Sequence, residues 1–362
     1  MHTPVLIVGG GPAGSAAAIT LAKAGQTPLV IERTRAASEV VCGGFLGWDA
    51  LAALRKLGVD AAALGARPIS RVRLMTRRRF VEADLPHAAA GLSRRTLDAA
   101  LLAAAEAAGA RVMRGRAVRA ADCSGRSVRT GDGEAIACEA LFLATGKHEL
   151  RGLARNLSGY SNVPAVGIRM VLPSSPEREL ALAGAVELHL FDRGYAGLLL
   201  QEDGTANLCF SVSQDRFRAA GGARALITEI MHEAPMLAER LGSDLPGSFA
   251  AIAGVPYGWR ARQTLPGIFR IGDQGSVIAS LVGDGIAIAL TSGRDAASAL
   301  LTKGASGAPD WQLQFSNRAR RAIGVAETLR HGAARPLAAD AFIQLTRLVP
   351  GLSRFAARIT RI

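Results

Sequence analysis

The first 32 residues constrain the fold of this chain more than any other stretch. An apolar run leads into Gly9, Gly11 and Gly14, which have the spacing G-x-G-x-x-G. A run of small, helix-prone residues follows, and then a second apolar run that ends in the acid Glu32. In this pattern the glycines allow a tight turn close to a pyrophosphate, and the helix N-terminus faces the anion with free N–H groups. The acid is placed to bind a ribose hydroxyl. The stretch therefore predicts a βαβ unit that binds a dinucleotide.

Length and composition fit a two-domain protein of the reducing cytoplasm. The chain has 362 residues, of which 49% are apolar, so a large core is expected. The first apolar run lacks a basic leader and contains the glycine turn, so we interpret it as a core strand and not as a signal peptide. No stretch offers about 18 uninterrupted apolar residues, which argues against a spanning helix. The cysteines lie far apart without metal-ligand spacing, so we expect free thiols and no metal site. They are Cys42, Cys123, Cys138 and Cys209.

The formal charge of +13 comes almost entirely from arginine. A basic surface can attract a phosphorylated dinucleotide, an acidic carrier or redox protein, a membrane face or nucleic acid. The sequence shows no helix-turn-helix, zinc-finger or aromatic-rich sheet pattern, and only 5% of its residues are aromatic. We therefore expect no nucleic acid partner.

The order of elements predicts an α/β protein with a discontinuous Rossmann-like domain. Alternating apolar runs in the middle of the chain favour an inserted, mostly antiparallel sheet, and the last fifty residues have helical patterning. We predict a nucleotide-binding domain in three parts (1–68, 93–162 and 263–303), a β-segment on the substrate side (69–92), a substrate domain (163–262) and a helical C-terminal region (304–362).

The ordered motifs resemble the FAD-dependent oxidoreductases that include the geranylgeranyl reductases and the aromatic hydroxylases of the para-hydroxybenzoate type. The blocks that carry the resemblance are Gly9–Gly14 with Glu32-Arg33, Ser93–Asp98, Ile271–Asp273 and Gly283–Ile286. The resemblance implies bound FAD, a Rossmann-like domain of the para-hydroxybenzoate hydroxylase type and an inserted sheet that covers the flavin. The FAD-binding positions that follow are Gly9, Gly11, Pro12, Ala13, Gly14, Glu32, Arg33, Cys42, Gly43, Arg94, Val118, Ala144, Thr145, Gly146, Gly272, Asp273, Gly283, Gly285 and Ile286.

The resemblance also implies particular roles for some of these residues. Arg94 is expected near the cofactor, Val118 where the backbone meets the adenine, and Asp273 on the ribityl chain. The helix that begins near Gly285 is expected under the pyrimidine edge, where its N-terminus would stabilise the negative charge of reduced flavin.

Two residues are candidates for catalysis. Cys42 begins a Cys-Gly-Gly stretch similar to that of the geranylgeranyl reductases, in which the cysteine lies by the flavin and the substrate. It would tune the flavin, gate the substrate or donate a proton; alternatively it is a compact buried side chain. His148 is either an acid/base group near the reacting site or an inert loop histidine. For the substrate face, the candidates are Phe45, His189 and Tyr195, although the last two also fit ordinary strand positions.

Three functions remain open. The favoured hypothesis is a monooxygenase that hydroxylates a phenolic, polyketide or lipid-like molecule through a flavin C4a-hydroperoxide. The second is a geranylgeranyl reductase-like enzyme that saturates C=C bonds, and the third is a non-catalytic binding protein on the same fold. Thr145 stands where the hydroxylases usually carry an aspartate, which favours the second hypothesis.

The single dinucleotide motif is assigned to FAD, so NADPH or NADH is expected to bind only transiently as the reductant. The C-terminal region has an amphipathic, basic helical pattern formed by Phe342, Leu345, Leu348, Leu352, Phe355 and Ile359, with Arg347, Arg354, Arg358 and Arg361 between them. We expect this face to pack on the protein body, with contact to the inner membrane face as the alternative.

Overall fold

The computed structural model describes residues 1–158, 160, 164–242, 245, 247–349, 351, 360 and 361. In these residues the strands are β1 (His2–Val8), β2 (Leu29–Glu32), β3 (Phe45–Leu46), β4 (Arg67–Met75), β5 (Phe80–Gly91), β6 (Arg111–Arg114), β7 (Val118–Ala121), β8 (Ser127–Thr130), β9 (Ala135–Leu143), β10 (Ala165–Leu172), β11 (Gly184–Phe191), β12 (Gly194–Leu200), β13 (Ala206–Ser213), β14 (Ala250–Val255) and β15 (Ile268–Arg270). The helices are α1 (Pro12–Lys23), α2 (Trp48–Leu57), α3 (Arg94–Ala107), α4 (Pro176–Leu182), α5 (Gln214–Ala219), α6 (Ala223–Glu233), α7 (Pro235–Leu241), α8 (Gly285–Lys303), α9 (Ala308–Ala333) and α10 (Pro336–Leu348).

The first sheet is the Rossmann-like layer. Its strand order is β6-β2-β1-β9-β8-β7, with β15 also paired to β9. The strands β6, β2, β1, β9 and β15 are parallel, whereas β7 and β8 form an antiparallel extension. The apolar runs of β1 and β9 are buried, as expected for central strands covered on both faces. Helix α1 packs against α3 and α8 on one face of this sheet. The predicted α/β class and FAD-domain architecture are confirmed.

The second sheet has the order β14-β10-β13-β12-β11-β4-β5-β3. It is antiparallel except at the β11–β4 pair, which is parallel. Through that pair, strands from the first hundred residues extend the sheet formed by residues 165–255. One face packs against α6 and α7 in an aliphatic core, and the other face is directed towards the site described below.

The C-terminal helices α9 and α10 cover the end of the second sheet. Ile343 of α10 is buried against β4 and β5, and Phe342 packs beside it. The expected packing face is only partly correct, because Leu345 and Leu348 are exposed. The rest of that predicted pattern (Leu352, Arg354, Phe355, Arg358 and Ile359) lies outside the described residues. Within the described part of the chain, no helix is long and apolar enough to cross a membrane.

Candidate active site

A groove of about 820 Å³ runs along the edge of the first sheet, and the glycine turn forms its floor. Gly9 has φ +108°, and a Cβ there would lie 2.4 Å from the Ala144 carbonyl oxygen. A Cβ on Gly14 would lie 1.9 Å from the carbonyl oxygen of Gly9. No side chain caps the N-terminus of α1 at Gly11, so the amides of the first turn can bind an anion. The turn is therefore a cradle that only glycine permits.

One end of the groove is formed by Glu32, Arg33 and Val118. The Glu32 carboxylate accepts hydrogen bonds from the amides of Gly10 (2.8 Å) and Thr34 (2.9 Å). It thereby fixes the glycine turn to the end of β2. Carboxylate oxygens have several acceptor sites, so these bonds leave capacity for a ribose hydroxyl.

Arg94 crosses the middle of the groove from the first turn of α3. Its guanidinium donates to both oxygens of Asp98 at 2.8 and 2.7 Å, and it lies against Gly11. Burial disfavours its charge, but Asp98 and Cys42 outweigh that effect and raise the pKa of Arg94. A permanently charged guanidinium beside the glycine turn is suited to bind a pyrophosphate.

The far side of the groove carries a second ion pair. The Lys147 ammonium lies 3.0 Å from Asp273, and both residues line the groove with Ala144, Thr145 and Gly146. The charge of Asp273 is the main cause that raises the pKa of Lys147, so the ammonium group stays charged at neutral pH. Gly272 is fixed by a hydrogen bond from its amide to Ser292 of α8 (2.9 Å).

A second, apolar cavity of about 340 Å³ lies between the second sheet and the helices α9 and α10. Its walls are mainly aliphatic: Val72, Leu74, Leu85, Val186, Leu188, Leu190, Leu199, Leu281, Val282, Leu329 and Phe342. Gly43, Phe45 and Gly283 line its inner end. Val41 lines the groove and Gly43 lines the cavity, so the two spaces meet at the Cys42 loop.

Residues 2–145 match a family described as an FAD-binding domain. The chain is an FAD-dependent oxidoreductase. A "Menaquinone reductase" of Mycolicibacterium smegmatis is 27% identical over 360 residues, covering 94% of this chain and 86% of that protein.

Solved structures establish the fold of this flavoprotein over nearly its whole length. A flavin-dependent brominase superimposes with TM-score 0.78 and 18% identity, covering 99% of this chain and 93% of that one. A geranylgeranyl bacteriochlorophyll reductase-like protein of Thermoplasma acidophilum has TM-score 0.76 and 20% identity, covering 95% and 91%.

The groove residues of the flavoprotein fit FAD. The glycine cradle and Arg94 suit the pyrophosphate, Glu32 suits a ribose, and Asp273 is placed for the hydroxyls of a ribityl chain. Gly285 is exposed at the N-terminus of α8, and Ile286 is buried behind it. Among the predicted FAD positions, those that line the groove are Gly9, Gly11, Glu32, Arg33, Arg94, Val118, Ala144, Thr145, Gly146 and Asp273. Gly43 and Gly283 line the apolar cavity instead, and Pro12, Ala13, Gly14, Cys42, Gly272, Gly285 and Ile286 are not among the residues that line either space. The contacts of all these residues with FAD stay predictions.

Cys42 lies where the groove and the cavity meet. Its thiol accepts a hydrogen bond from the Gly44 amide at 3.5 Å, and Arg94 and Lys147 both interact with it electrostatically. The side chain is half-buried and is therefore neither a sealed core residue nor a surface thiol. This position is compatible with the predicted role beside flavin and substrate.

Asn207 holds the Cys42 loop in place, a function that the sequence did not reveal. Its amide donates to the carbonyls of Cys42 (2.9 Å) and Gly43 (2.7 Å), and its carbonyl accepts from Arg169 (2.6 Å). Arg169 in turn lies 2.9 Å from Glu39. Asn207 is completely buried. The one available signal was a polar residue within the apolar alternation of β13.

His148 lies on the exposed rim of the groove and does not line the apolar cavity. Burial of the ring and the nearby charges of Arg33, Lys147 and Arg155 lower its pKa. The imidazole is therefore mostly neutral at pH 7. This location does not place it at the predicted reacting site.

The three predicted substrate residues have different outcomes. Phe45 lines the cavity, and Tyr195 reaches its edge through a hydrogen bond to Ser280. The prediction for His189 is wrong, because side chains alternate along a strand and Val186, Leu188 and Leu190 take the cavity face of β11.

His189 instead faces the back of the sheet, 3.3 Å from the buried Glu187. Burial disfavours the Glu187 charge, but His189 and Arg240 outweigh it and lower the pKa of Glu187 to about 2. The histidine therefore belongs to a group of polar side chains around Glu187, behind the cavity wall.

The buried Asp284 precedes α8 and pairs with Arg361, whose guanidinium lies 4.0 Å from the Trp48 ring centroid. Burial lowers the pKa of Arg361 to about 10, which leaves it charged at neutral pH. Arg361 also lines the apolar cavity. The C-terminal end of the chain therefore helps to form the cavity next to the start of α8.

Proposed function

We propose that this flavoprotein is a reductase that saturates a C=C bond of an isoprenoid-type lipid, with an isoprenoid quinone as the favoured substrate. The observation that carries the proposal is the aliphatic cavity that ends against the Cys42 loop and Gly283. Its volume of about 340 Å³ is within the range of ligand sites, and its walls offer few polar groups. Such a space binds a branched hydrocarbon chain better than a small phenol.

Two further observations support reduction over hydroxylation. A relative that is 27% identical and spans 94% of this chain has the name "Menaquinone reductase". Thr145 occupies the position at which the resembling hydroxylases usually carry an aspartate, and Lys147 takes the Asp273 carboxylate as its partner. The Cys-Gly-Gly stretch at the cavity end is also typical of the reductase side of the superfamily.

The bound and reduced FAD would supply the hydride, whereas this chain's own residues would orient the substrate and exclude water. The aliphatic walls would hold the chain of the lipid next to Gly43 and Gly283. The exposed N-terminus of α8 would stabilise negative charge at the inner end. Cys42, with its neighbours Arg94 and Lys147, is the proposed group that supplies a proton to the reacting carbon.

The proposed electron donor is NADPH or NADH, bound transiently. The described groove rim carries Arg33, Arg35, Arg114, Arg116 and Arg119. This concentration of arginine suits a phosphorylated dinucleotide or an acidic redox protein. The same charge supports transient contact with an anionic membrane surface, from which a lipid would be drawn.

The test is to incubate the FAD-loaded protein with NADPH or NADH and a prenylated naphthoquinone in D₂O, under nitrogen and in air. Saturation of the prenyl chain predicts a product that, after reoxidation of the quinone ring and return to H₂O, keeps two added hydrogens on carbon, at least one of them deuterium, in both atmospheres. A product that gains one oxygen atom, only in air, would identify a monooxygenase. The Cys42→Ala variant should lose product while its flavin is still reduced by the donor.

The monooxygenase alternative has its own direct measurement. Chemically reduced protein is mixed with oxygen in a stopped-flow instrument, with and without ligand. We expect a direct return to the spectrum of oxidised flavin. A ligand-dependent transient with a different absorbance maximum would contradict the reductase proposal. A preparation that cannot be loaded with flavin would revive the non-catalytic binding protein.

A further inference from the structure

Three hydroxyl groups form a chain at the inner end of the apolar cavity. The Tyr195 hydroxyl lies 2.5 Å from Ser280 Oγ, and the Tyr257 hydroxyl lies 2.8 Å from the same atom. Tyr195 comes from β12, Tyr257 follows β14, and Ser280 lies in the turn before α8. Tertiary folding therefore brings together three residues that are up to 85 positions apart.

The three residues differ in exposure. Tyr195 and Tyr257 are buried, with 4% and 5% of their surface exposed, whereas Ser280 is exposed and lines the cavity. Its neighbours Leu281 and Gly283 line the same end. Ser280 is thus the member of the chain that a ligand in the cavity can touch.

The hydrogen-bond capacity of Ser280 leaves room for such a ligand. A serine hydroxyl has one proton to donate and two lone pairs to accept, and each tyrosine hydroxyl can donate to it. When both tyrosines donate, the Ser280 proton is directed to an acceptor in the cavity. Burial raises the pKa of Tyr195 well above its usual value, so this hydroxyl keeps the proton that it donates.

The surroundings fix the two tyrosines in this arrangement. The Tyr257 carbonyl accepts a hydrogen bond from the Tyr160 hydroxyl at 2.8 Å, and the Arg330 guanidinium lies 5.7 Å from the Tyr257 ring centroid. Tyr195 packs against Leu190 and Ala333. Because both rings are held by their neighbours, the position of Ser280 Oγ is preset before a ligand binds.

We propose that Ser280, held by Tyr195 and Tyr257, donates a hydrogen bond to a carbonyl or quinone oxygen of the lipid substrate. This inference rests on the proposed function and narrows its substrate to an oxygenated isoprenoid lipid. The aliphatic walls would bind the hydrocarbon part, and the hydroxyl chain would select the polar head. A plain prenyl hydrocarbon would lack the oxygen that Ser280 recognises.

The test compares two probes with the FAD-loaded protein, without turnover. One is a naphthoquinone with a short prenyl chain, and the other is a prenyl hydrocarbon of the same chain length. We expect Ser280→Ala to weaken quinone binding about tenfold, the value of one good hydrogen bond, and to leave hydrocarbon binding unchanged. Tyr195→Phe and Tyr257→Phe should each weaken quinone binding several-fold, and Ser280→Thr should restore it.

Ser298→Ala is the matched control, since Ser298 lies on α8 and, within the described residues, its hydroxyl donates a hydrogen bond only to the Arg294 carbonyl (3.1 Å). Retained FAD content shows that each variant is folded. The proposal is overturned if Ser280→Ala binds the quinone as wild type does, or loses affinity for both probes equally. Turnover is measured separately. Selective loss of quinone affinity without any turnover would support this site while contradicting the reductase activity.

Discussion

The FAD groove and the apolar cavity adjoin each other but are built in different ways. The groove is formed by backbone and charges from short segments: the glycine turn, the end of β2, the start of α3 and the loop after β9. The cavity is formed by aliphatic side chains from β4, β5, β11 and β12, closed by α9 and α10. The binding role of each groove segment can be recognised from that segment's own residues. No single segment of the cavity can be recognised in this way.

This difference shows how the protein recognises a dinucleotide in one region and a lipid in the other. A dinucleotide is bound largely by backbone amides, so the requirement is for glycine at particular positions. A lipid is bound by shape and area, so many aliphatic sequences would serve, and the fold decides which of them face inward. Substitutions in the two regions should therefore have separable effects.

The largest effect is expected for Gly9→Ala. The added Cβ would meet the Ala144 backbone 2.4 Å away, so FAD affinity should fall at least about 100-fold as the turn is displaced. The flavin-to-protein absorbance ratio after purification measures this loss. Gly25→Ala is the control, because Gly25 also has positive φ (+82°) but open space around its Cβ position. Equal flavin content in the two variants would show that the contact with Ala144 is irrelevant.

Asn207→Leu tests the connection between the two regions. It removes the hydrogen bonds of Asn207 with two carbonyls of the Cys42 loop and with the Arg169 guanidinium, at a cost of about 2–4 kcal/mol in the free energy of unfolding. Denaturant unfolding measures this cost. The alkylation rate of Cys42 should change as well, because its loop is no longer fixed.

The control for that variant is Asn317→Leu, on the exposed face of α9. It should be nearly neutral. An Asn207→Leu protein with the stability and Cys42 reactivity of wild type would show that the loop is held by other contacts.

Leu188→Trp should affect the cavity alone. The larger side chain fills part of the space of about 340 Å³, so KM for the lipid should rise about tenfold while FAD content stays at the wild-type level. Steady-state kinetics and the flavin absorbance ratio measure the two quantities. The exposed Leu180 provides the matched Leu180→Trp control. Loss of FAD in Leu188→Trp would contradict the separation of the two regions.

The smallest effect is expected for His148→Asn. The His148 pKa is lowered in the folded state, so the unfolded chain binds more protons near pH 6.5. Its contribution to stability is therefore complete above about pH 6.5 and is lost as the pH falls below that value. Because the side chain is exposed, the contribution should be under about 0.5 kcal/mol. The pH dependence of turnover should match that of wild type. A tenfold lower turnover rate in the variant would support His148 as a catalytic group.

The segments that line the groove are visible in the sequence because each of them is local, whereas the contacts of their residues with FAD stay predictions. The glycine spacing, the Ser93 cap of α3 and the glycine before α8 each report a backbone requirement within a few residues. His189 shows the limit of such reasoning. Its strand was recognised, but which face of the strand points to the cavity depends on what packs on each side of the sheet. His189 lies on the face opposite the cavity, where Glu187 pairs with Arg240.

The sequence alone determined that this chain has a Rossmann-like unit for a dinucleotide and an inserted sheet, because glycine geometry and hydrophobic periodicity are local properties. That the dinucleotide is FAD follows from the family resemblance and from the match of residues 2–145 to an FAD-binding domain. Tertiary structure alone decided that Asn207 fixes the Cys42 loop and that Ser280 meets two tyrosines from distant segments of the chain. It also decided that aliphatic residues from both ends of the chain enclose one cavity. These features arise from contacts between distant segments, which depend on how the layers pack and leave no pattern in any one segment.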